Sequence, residues 1–146
     1  MRLIELLTPE RVLVDLRASS RHALLEALAR RLAPEADLAV LEALTEREAL
    51  GSTALGGGVA LPHGRCPLLA RPCAVLARLA RPVDFGAADG RPVDLVCALA
   101  TPTHFTDAHL ALLADVATHF SDAACVAALR AAADAPALRA ELAKWA

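Results

Sequence analysis

Apolar and polar positions alternate along this chain with two different periods, and the change of period divides it. The stretch Arg11 to Leu16, RVLVDL, is brief and rich in branched aliphatic residues, which predicts a strand. Ser19 or Ser20 can then cap a helix running to about Leu32, with Leu24, Leu25, Leu28 and Leu32 near helical spacing and Pro34 to stop it. From about Asp37 to Leu50, the positions Leu38, Leu41, Leu44 and Ala49 predict a second helix, and Gly51 supplies a C-terminal glycine. The period then shortens. Val59 to Leu61 predicts a short strand, and Cys73 to Leu79 and Val93 to Ala100 predict longer ones. The last of these, VDLVCALA, is apolar enough to be buried on both faces. The intervening VDFGAADGRP is rich in turn formers, Asp89-Gly90 most of all. Helical spacing returns over about Thr106 to His119, Ser121 to Ala132 and Ala135 to Trp145, with Asp134 placed to cap the last and Pro136 in its first turn.

A strand, two helices, three or four strands and then helices predict an α/β fold: a single-domain sandwich over residues 1–146, with a central β-sheet flanked by helices. Because the strands are bunched instead of alternating with helices, the sheet is expected to be mixed. A composition of 56% hydrophobic and 22% charged residues calls for a packed core and not for disorder. A net charge of −2 leaves no excess of cations to neutralise phosphates, and three Phe, one Trp and no Tyr offer no stacking platform, so nucleic-acid binding is not expected. The charged N-terminus, MRLIELLTPERVLVD, has no signal-peptide core, and no uncharged apolar run approaches the roughly 20 residues that span a bilayer. Cys66, Cys73, Cys97 and Cys125 are scattered without a C-x-x-C. The expectation is a cytoplasmic protein with reduced thiols and no membrane insertion.

One segment carries candidate chemistry: GGGVALPHGRC, Gly56 to Cys66. Pro62 restricts the backbone before His63, and Gly64 is expected to allow a tight turn after it, which would present the imidazole at an edge. An imidazole with a pKa near ~6.5 is largely neutral at pH 7 and can itself accept a phosphoryl group. The alternative for His63 is an ordinary loop histidine at a strand end. Gly56 to Gly58 could bring backbone amides to a phosphate, but neither nucleotide-binding glycine pattern is present, and a turn into a strand is the simpler reading. His109 shares a helix face with Leu112 or Leu113, Val116 and Phe120 near a helix N-terminus, where an anion is favoured; a buried, hydrogen-bonded histidine fits the spacing equally well. Arg47 on its own reads as a solvated helix arginine paired with Glu46 or Glu48. His63 and Cys66 lack the further ligands of a metal site, and no nucleophile with an adjacent base is visible. His22, His104 and His119 receive no role.

Taken together, REALGSTALGGGVALPHGR (Arg47 to Arg65), RPVDFGAADGRPVDLVCALATP (Arg81 to Pro102) and the HLALLADVA helix from His109 resemble enzyme IIA domains of the bacterial phosphoenolpyruvate-dependent phosphotransferase system. The resemblance is to the fructose/mannitol type, which includes the stand-alone nitrogen-regulatory enzyme IIA, and it covers nearly the whole chain. It implies that His63 accepts phosphate from the phosphocarrier HPr or its nitrogen-branch counterpart. It also implies that His109 and Arg47 stabilise the phosphoryl group, and that no cofactor or metal is needed because the donor is already an activated phosphorus–nitrogen bond. Downstream partners would be either regulated target proteins or an enzyme IIB. A chain without an attached membrane or sugar-binding segment leads to the expectation of nitrogen- or potassium-linked regulation; the alternative is sugar transport through a fructose/mannitol-type enzyme IIB. Gly57 stands where relatives often carry Asn, and Arg65 keeps the positive charge of the more frequent Lys.

Overall fold

The bunched strands form one six-stranded mixed sheet in the computed structural model, which describes residues 2–145. A single-turn helix α1 (Leu3–Leu6) and strand β1 (Val12–Leu16) lead into helices α2 (Arg21–Leu32) and α3 (Asp37–Leu50). Strands β2 (Ala54–Gly56), β3 (Val59–Ala60), β4 (His63–Arg65), β5 (Cys73–Val83) and β6 (Val93–Thr101) follow, and helices α4 (Thr106–Phe120), α5 (Ala123–Ala131) and α6 (Ala135–Trp145) come last. The sheet order is β1-β5-β6-β3-β2, with β4 also on β6. The long β5–β6 pair is antiparallel, whereas β1 on β5, and β3 and β4 on β6, are parallel.

Strand β6 is buried along almost its whole length, and its side chains alternate between two cores. Val96, Ala98 and Ala100 pack with Leu24, Leu28, Val40 and Leu44 of α2 and α3. Leu95, Cys97 and Leu99 point the other way, towards Leu112 and Val116 of α4, Leu129 of α5 and Leu138 and Leu142 of α6. The sandwich therefore has helices on both faces of a sheet whose central strand is mostly apolar and buried on both faces, as its sequence predicts. No single helix among the described residues is long and apolar enough to cross a membrane.

The expected caps form. Ser20 Oγ accepts from Ala23 N at 3.1 Å, and Asp134 Oδ1 accepts from Ala137 N at 2.9 Å. Asp122 Oδ1 accepts from Ala124 N and Cys125 N, so α5 starts at Ala123, two residues later than its apolar pattern suggests. The sequence gives no warning of α1, β2 and β4, all too short to show a period.

Two expectations fail, and for one physical reason. The buried stripe of α3 is Val40, Leu44 and Glu48, while Leu38 is 77% exposed and Ala49 is exposed as well. Gly64 does not make a tight turn but lies within β4, paired with Ala100 of β6. A Cβ built at Gly64 would sit 2.9 Å from the backbone C and O and the Cβ of Ala43. Helix α3 thus rests directly on the strand backbone at Ala43, and that contact sets which face of the helix turns inward. The Gly56–Gly58 turn, by contrast, needs glycine for its backbone, with φ of 88°, 65° and 79°.

Because rigid backbone surrounds the missing Cβ, Gly64→Ala should cost about 1–3 kcal/mol by overpacking and push α3 off β4. Chemical denaturation would show the loss, and a wild-type midpoint would contradict the close approach.

Candidate functional site

Strands β3 and β4 run in line along the same side of β6, separated by Leu61 and Pro62. Pro62 has no amide hydrogen, but its carbonyl accepts from Leu99 N at 2.9 Å, which keeps the interrupted strand in register. His63 is thereby held opposite Leu99, one strand away from the C-terminal end of β6 at Thr101. It is half-buried at the sheet edge, with α3 on one face and α4 on the other.

His63 Nδ1 lies 2.7 Å from the Leu61 carbonyl oxygen. A carbonyl only accepts, so Nδ1 carries the proton and the Nε2 lone pair is free. Burial pushes the His63 pKa below its ordinary value; the bond to Leu61 works against this, the positive charge of Arg47 adds to it, and the negative charge of Glu48 opposes it. The ring is therefore neutral at pH 7, with a defined nucleophilic nitrogen.

His109 comes from the first turns of α4, where Leu112, Val116 and Phe120 share its buried face. Its ring centroid is 5.9 Å from that of His63, with the planes tilted by 48°. Nδ1 shares a 2.7 Å hydrogen bond with Thr101 Oγ1 at the end of β6, and both residues are buried. Burial first, then the nearby charges of His63 and Arg65, lower the His109 pKa to about 4. Arg65 also donates to Thr106 Oγ1 at 3.1 Å, tying β4 to the first residue of α4.

Arg47 reaches the site from the last turn of α3. Its guanidinium donates to the Gly51 carbonyl at 2.8 Å, and among the described residues it forms no ion pair with Glu46 or Glu48. The fold thus brings together the three residues singled out in the sequence, from three separate elements. Sequence reasoning missed Glu48 and Thr53, although a Glu at i+4 from Leu44 and i+8 from Val40 is a visible oddity on an apolar stripe.

The glycine turn belongs elsewhere. Val59 pairs with Leu95, about 13 Å along β6 from the Leu99 that faces His63. There the Gly57 amide donates to Asp89 Oδ2 at 2.8 Å, and its carbonyl accepts from Arg130, which is paired with Asp94 at 2.7 Å. The Gly57 amide is thus already occupied by protein. Cys66 is buried in the α2/α3 core, His22 pairs with Glu26, His104 stacks edge-on against Phe105, and His119 bonds to backbone carbonyls of Asp115 and Trp145.

Residues 5–145 match the family described as phosphoenolpyruvate-dependent sugar phosphotransferase system, EIIA 2. The chain is 41% identical over 146 residues to a nitrogen regulatory protein of Bradyrhizobium diazoefficiens, covering 98% of this chain and 95% of that one. The crystal structure of nitrogen regulatory protein IIA-Ntr from Neisseria meningitidis superposes with a TM-score of 0.90 at 35% identity, over 95% of this chain and 97% of that one. Enzyme IIA-mannitol of Escherichia coli, solved in complex with phosphorylated enzyme IIB-mannitol, shares the fold with a TM-score of 0.75 at 19% identity, over 92% and 95% of the two chains.

Between pH ~6.5, the ordinary imidazole value, and about 4, an unfolded chain binds a proton at residue 109 that the folded protein refuses. The stability that the neutral, buried His109 contributes is present above pH 6.5 and is lost as pH falls towards 4. Urea unfolding at a series of pH values should show the wild type losing stability relative to His109→Gln across that window, and parallel curves would contradict the assignment.

Proposed function

The chain belongs to the EIIA type 2 family of the phosphoenolpyruvate-dependent sugar phosphotransferase system, and from that premise we propose that it is a phosphohistidine carrier charged at Nε2 of His63. The observation that carries this reading is the bond from His63 Nδ1 to the Leu61 carbonyl, which leaves one ring nitrogen, Nε2, unprotonated at pH 7. In the reaction, the Nε2 lone pair attacks the phosphorus of the phosphohistidine on an HPr-like donor. The donor's phosphorus–nitrogen bond breaks, and its electron pair returns to the donor imidazole. Such transfers require alignment and charge stabilisation more than covalent machinery.

Arg47 and His109 supply the stabilisation. Arg47 stays cationic, and its guanidinium can donate to phosphoryl oxygens at the α3 side of His63. His109, neutral and fixed through Nδ1 by Thr101, can present an Nε2 hydrogen from the α4 side. Keeping His109 neutral also avoids placing a second cation beside the His63 imidazole before the anion arrives.

Similarity to nitrogen regulatory proteins across nearly the full length of both chains supports a regulatory use, in which phosphorylation of His63 selects protein targets. A second reading, transfer to an enzyme IIB in sugar transport, is favoured by the mannitol-type fold neighbour seen with a phosphorylated IIB.

Incubation with phosphoenolpyruvate, enzyme I and HPr should give acid-labile label on the wild type and none on His63→Ala, and equal labelling would overturn the acceptor assignment. Arg47→Ala and His109→Ala should each slow labelling by on the order of 10²-fold. Pull-downs with wild type, His63→Ala and His63→Glu should recover different partners if the protein is a phospho-switch. Phosphate passage to a fructose-type enzyme IIB, with identical partner sets, would favour transport instead.

A further inference from the structure

Four polar or charged side chains are buried among the described residues: Glu48, Thr53, Thr101 and His109. They form two pairs. Thr101 with His109 belongs to the site described above; Glu48 with Thr53 lies on the opposite face and touches no reacting atom. A carboxylate on the inward stripe of α3, below Val40 and Leu44, costs desolvation energy that an apolar residue would not. Its partners show what it holds.

We propose that Glu48 is a positioning residue for phosphoryl transfer, fixing the 51–53 loop through Thr53 and thereby orienting both Arg47 and His63; the proposal rests on the roles assigned to those two residues above. Both carboxylate oxygens accept from Thr53 N at 3.3 Å, and Oε1 also accepts from Thr53 Oγ1. Two further contacts lead from the loop to the site. Gly51, whose amide donates to the Glu48 carbonyl at 3.1 Å, offers its own carbonyl to the Arg47 guanidinium at 2.8 Å. The Thr53 carbonyl accepts from Leu61 N at 3.0 Å, and the Leu61 carbonyl accepts from His63 Nδ1 at 2.7 Å. Glu48 is therefore three hydrogen bonds from the His63 ring and one loop residue from the group that anchors Arg47.

The charge of Glu48 is itself supported. Arg21, at the start of α2, approaches Glu48 Oε2 at 3.8 Å and donates to the Phe85 carbonyl at 3.2 Å. The same carbonyl accepts from Ser52 Oγ at 2.6 Å, so the middle residue of the loop is held from the other side. A negative charge here also raises the His63 pKa, against the effect of Arg47. A carboxylate thus does two things that a neutral residue would not: it binds the Thr53 amide and hydroxyl together, and it balances the guanidinium next to the acceptor.

The test compares Glu48→Gln, Thr53→Val and the double variant, using steady-state transfer from phosphorylated HPr and 15N shifts of the His63 ring. Glu48→Gln should lower kcat about 10-fold with KM for the donor unchanged, since neither residue touches the donor. Thr53→Val should do the same, and the double variant should be no slower than either, because both substitutions break one link. In each variant the His63 ring should lose its single Nδ1–H tautomer. Should Glu48→Gln not fold, Thr53→Val, which keeps the side-chain shape, carries the comparison. Folded variants with wild-type kcat and an unchanged His63 ring would overturn the proposal, as would multiplicative losses in the double variant. Failure of the underlying reading looks different: His63→Ala would still be labelled, or Arg47→Ala would transfer at the wild-type rate.

Discussion

At Gly64 a strand and a helix approach so closely that no Cβ fits between them, and the geometry of the site follows from that contact. Strand β4 can sit against Ala43 only because its central residue has no side chain. With the helix seated there, its next turn brings Arg47 towards the start of β4, where His63 stands, and turns Glu48 inward beneath the 51–53 loop. Had β4 carried an alanine at this position, α3 would be displaced or rotated, and both residues would move together. Close packing has no soft response to such a change, since interiors fill space nearly as densely as organic crystals. The constraint is local, but it fixes the relation between the two elements that carry Arg47 and His63.

The electrostatics of the candidate site turn on its two neighbouring histidines. Two imidazoles with centroids 5.9 Å apart in a partly buried setting would repel if both were protonated, and burial keeps His109 neutral down to a pH of about 4. The positive charge beside the rings comes instead from the guanidiniums of Arg47, which acts on His63, and Arg65, which acts on His109. Under the proposed transfer, an incoming phosphoryl group carrying roughly −1.5 to −2 charges would meet the Arg47 guanidinium from the α3 side and neutral His109 from the α4 side. Glu48, which Arg21 approaches at 3.8 Å, opposes the effect of Arg47 on the His63 ring.

Strand β6 runs from the glycine turn at one end of the sheet to the candidate site at the other. Its N-terminal half is tied to the glycine turn through Asp94 and Arg130, which reaches the Gly57 carbonyl, while Asp89 of the preceding turn takes the Gly57 amide. Its C-terminal half carries the register that places His63 and the Thr101 hydroxyl that fixes His109. One strand, buried on both faces, thereby joins these contacts to the edge where His63 stands. The glycine-rich segment and the proposed acceptor His63, five residues apart in sequence, thus belong to different ends of the fold, which their proximity in the chain conceals.

Most of the architecture was legible in the sequence because α2 and α4 are long enough to display a period, β6 is a long apolar run, and the bunching of the strands predicts a mixed sheet between helical layers. His63 was legible too, through its unusual flanks, and His109 through its place on a buried helix face. The three-residue β4 was not, and so Gly64 was read by the usual association of glycine with turns. Its real reason, the proximity of Ala43, comes from 21 residues earlier in the chain and leaves no local signal. Arg47 looked like any solvated helix arginine, since its significance lies in what α3 rests upon. Glu48 shows the limit most sharply. Pattern reasoning assigns charged residues to the solvated face, and that rule put Ala49 inward in its place. The spacing Val40, Leu44, Glu48 was available all along, and taken literally it announces a carboxylate in the core. Burying a charge is costly enough that a chain tolerates it only where the charge has partners, so such a break in an apolar stripe is a more direct pointer to an organised site than the glycines that drew attention first.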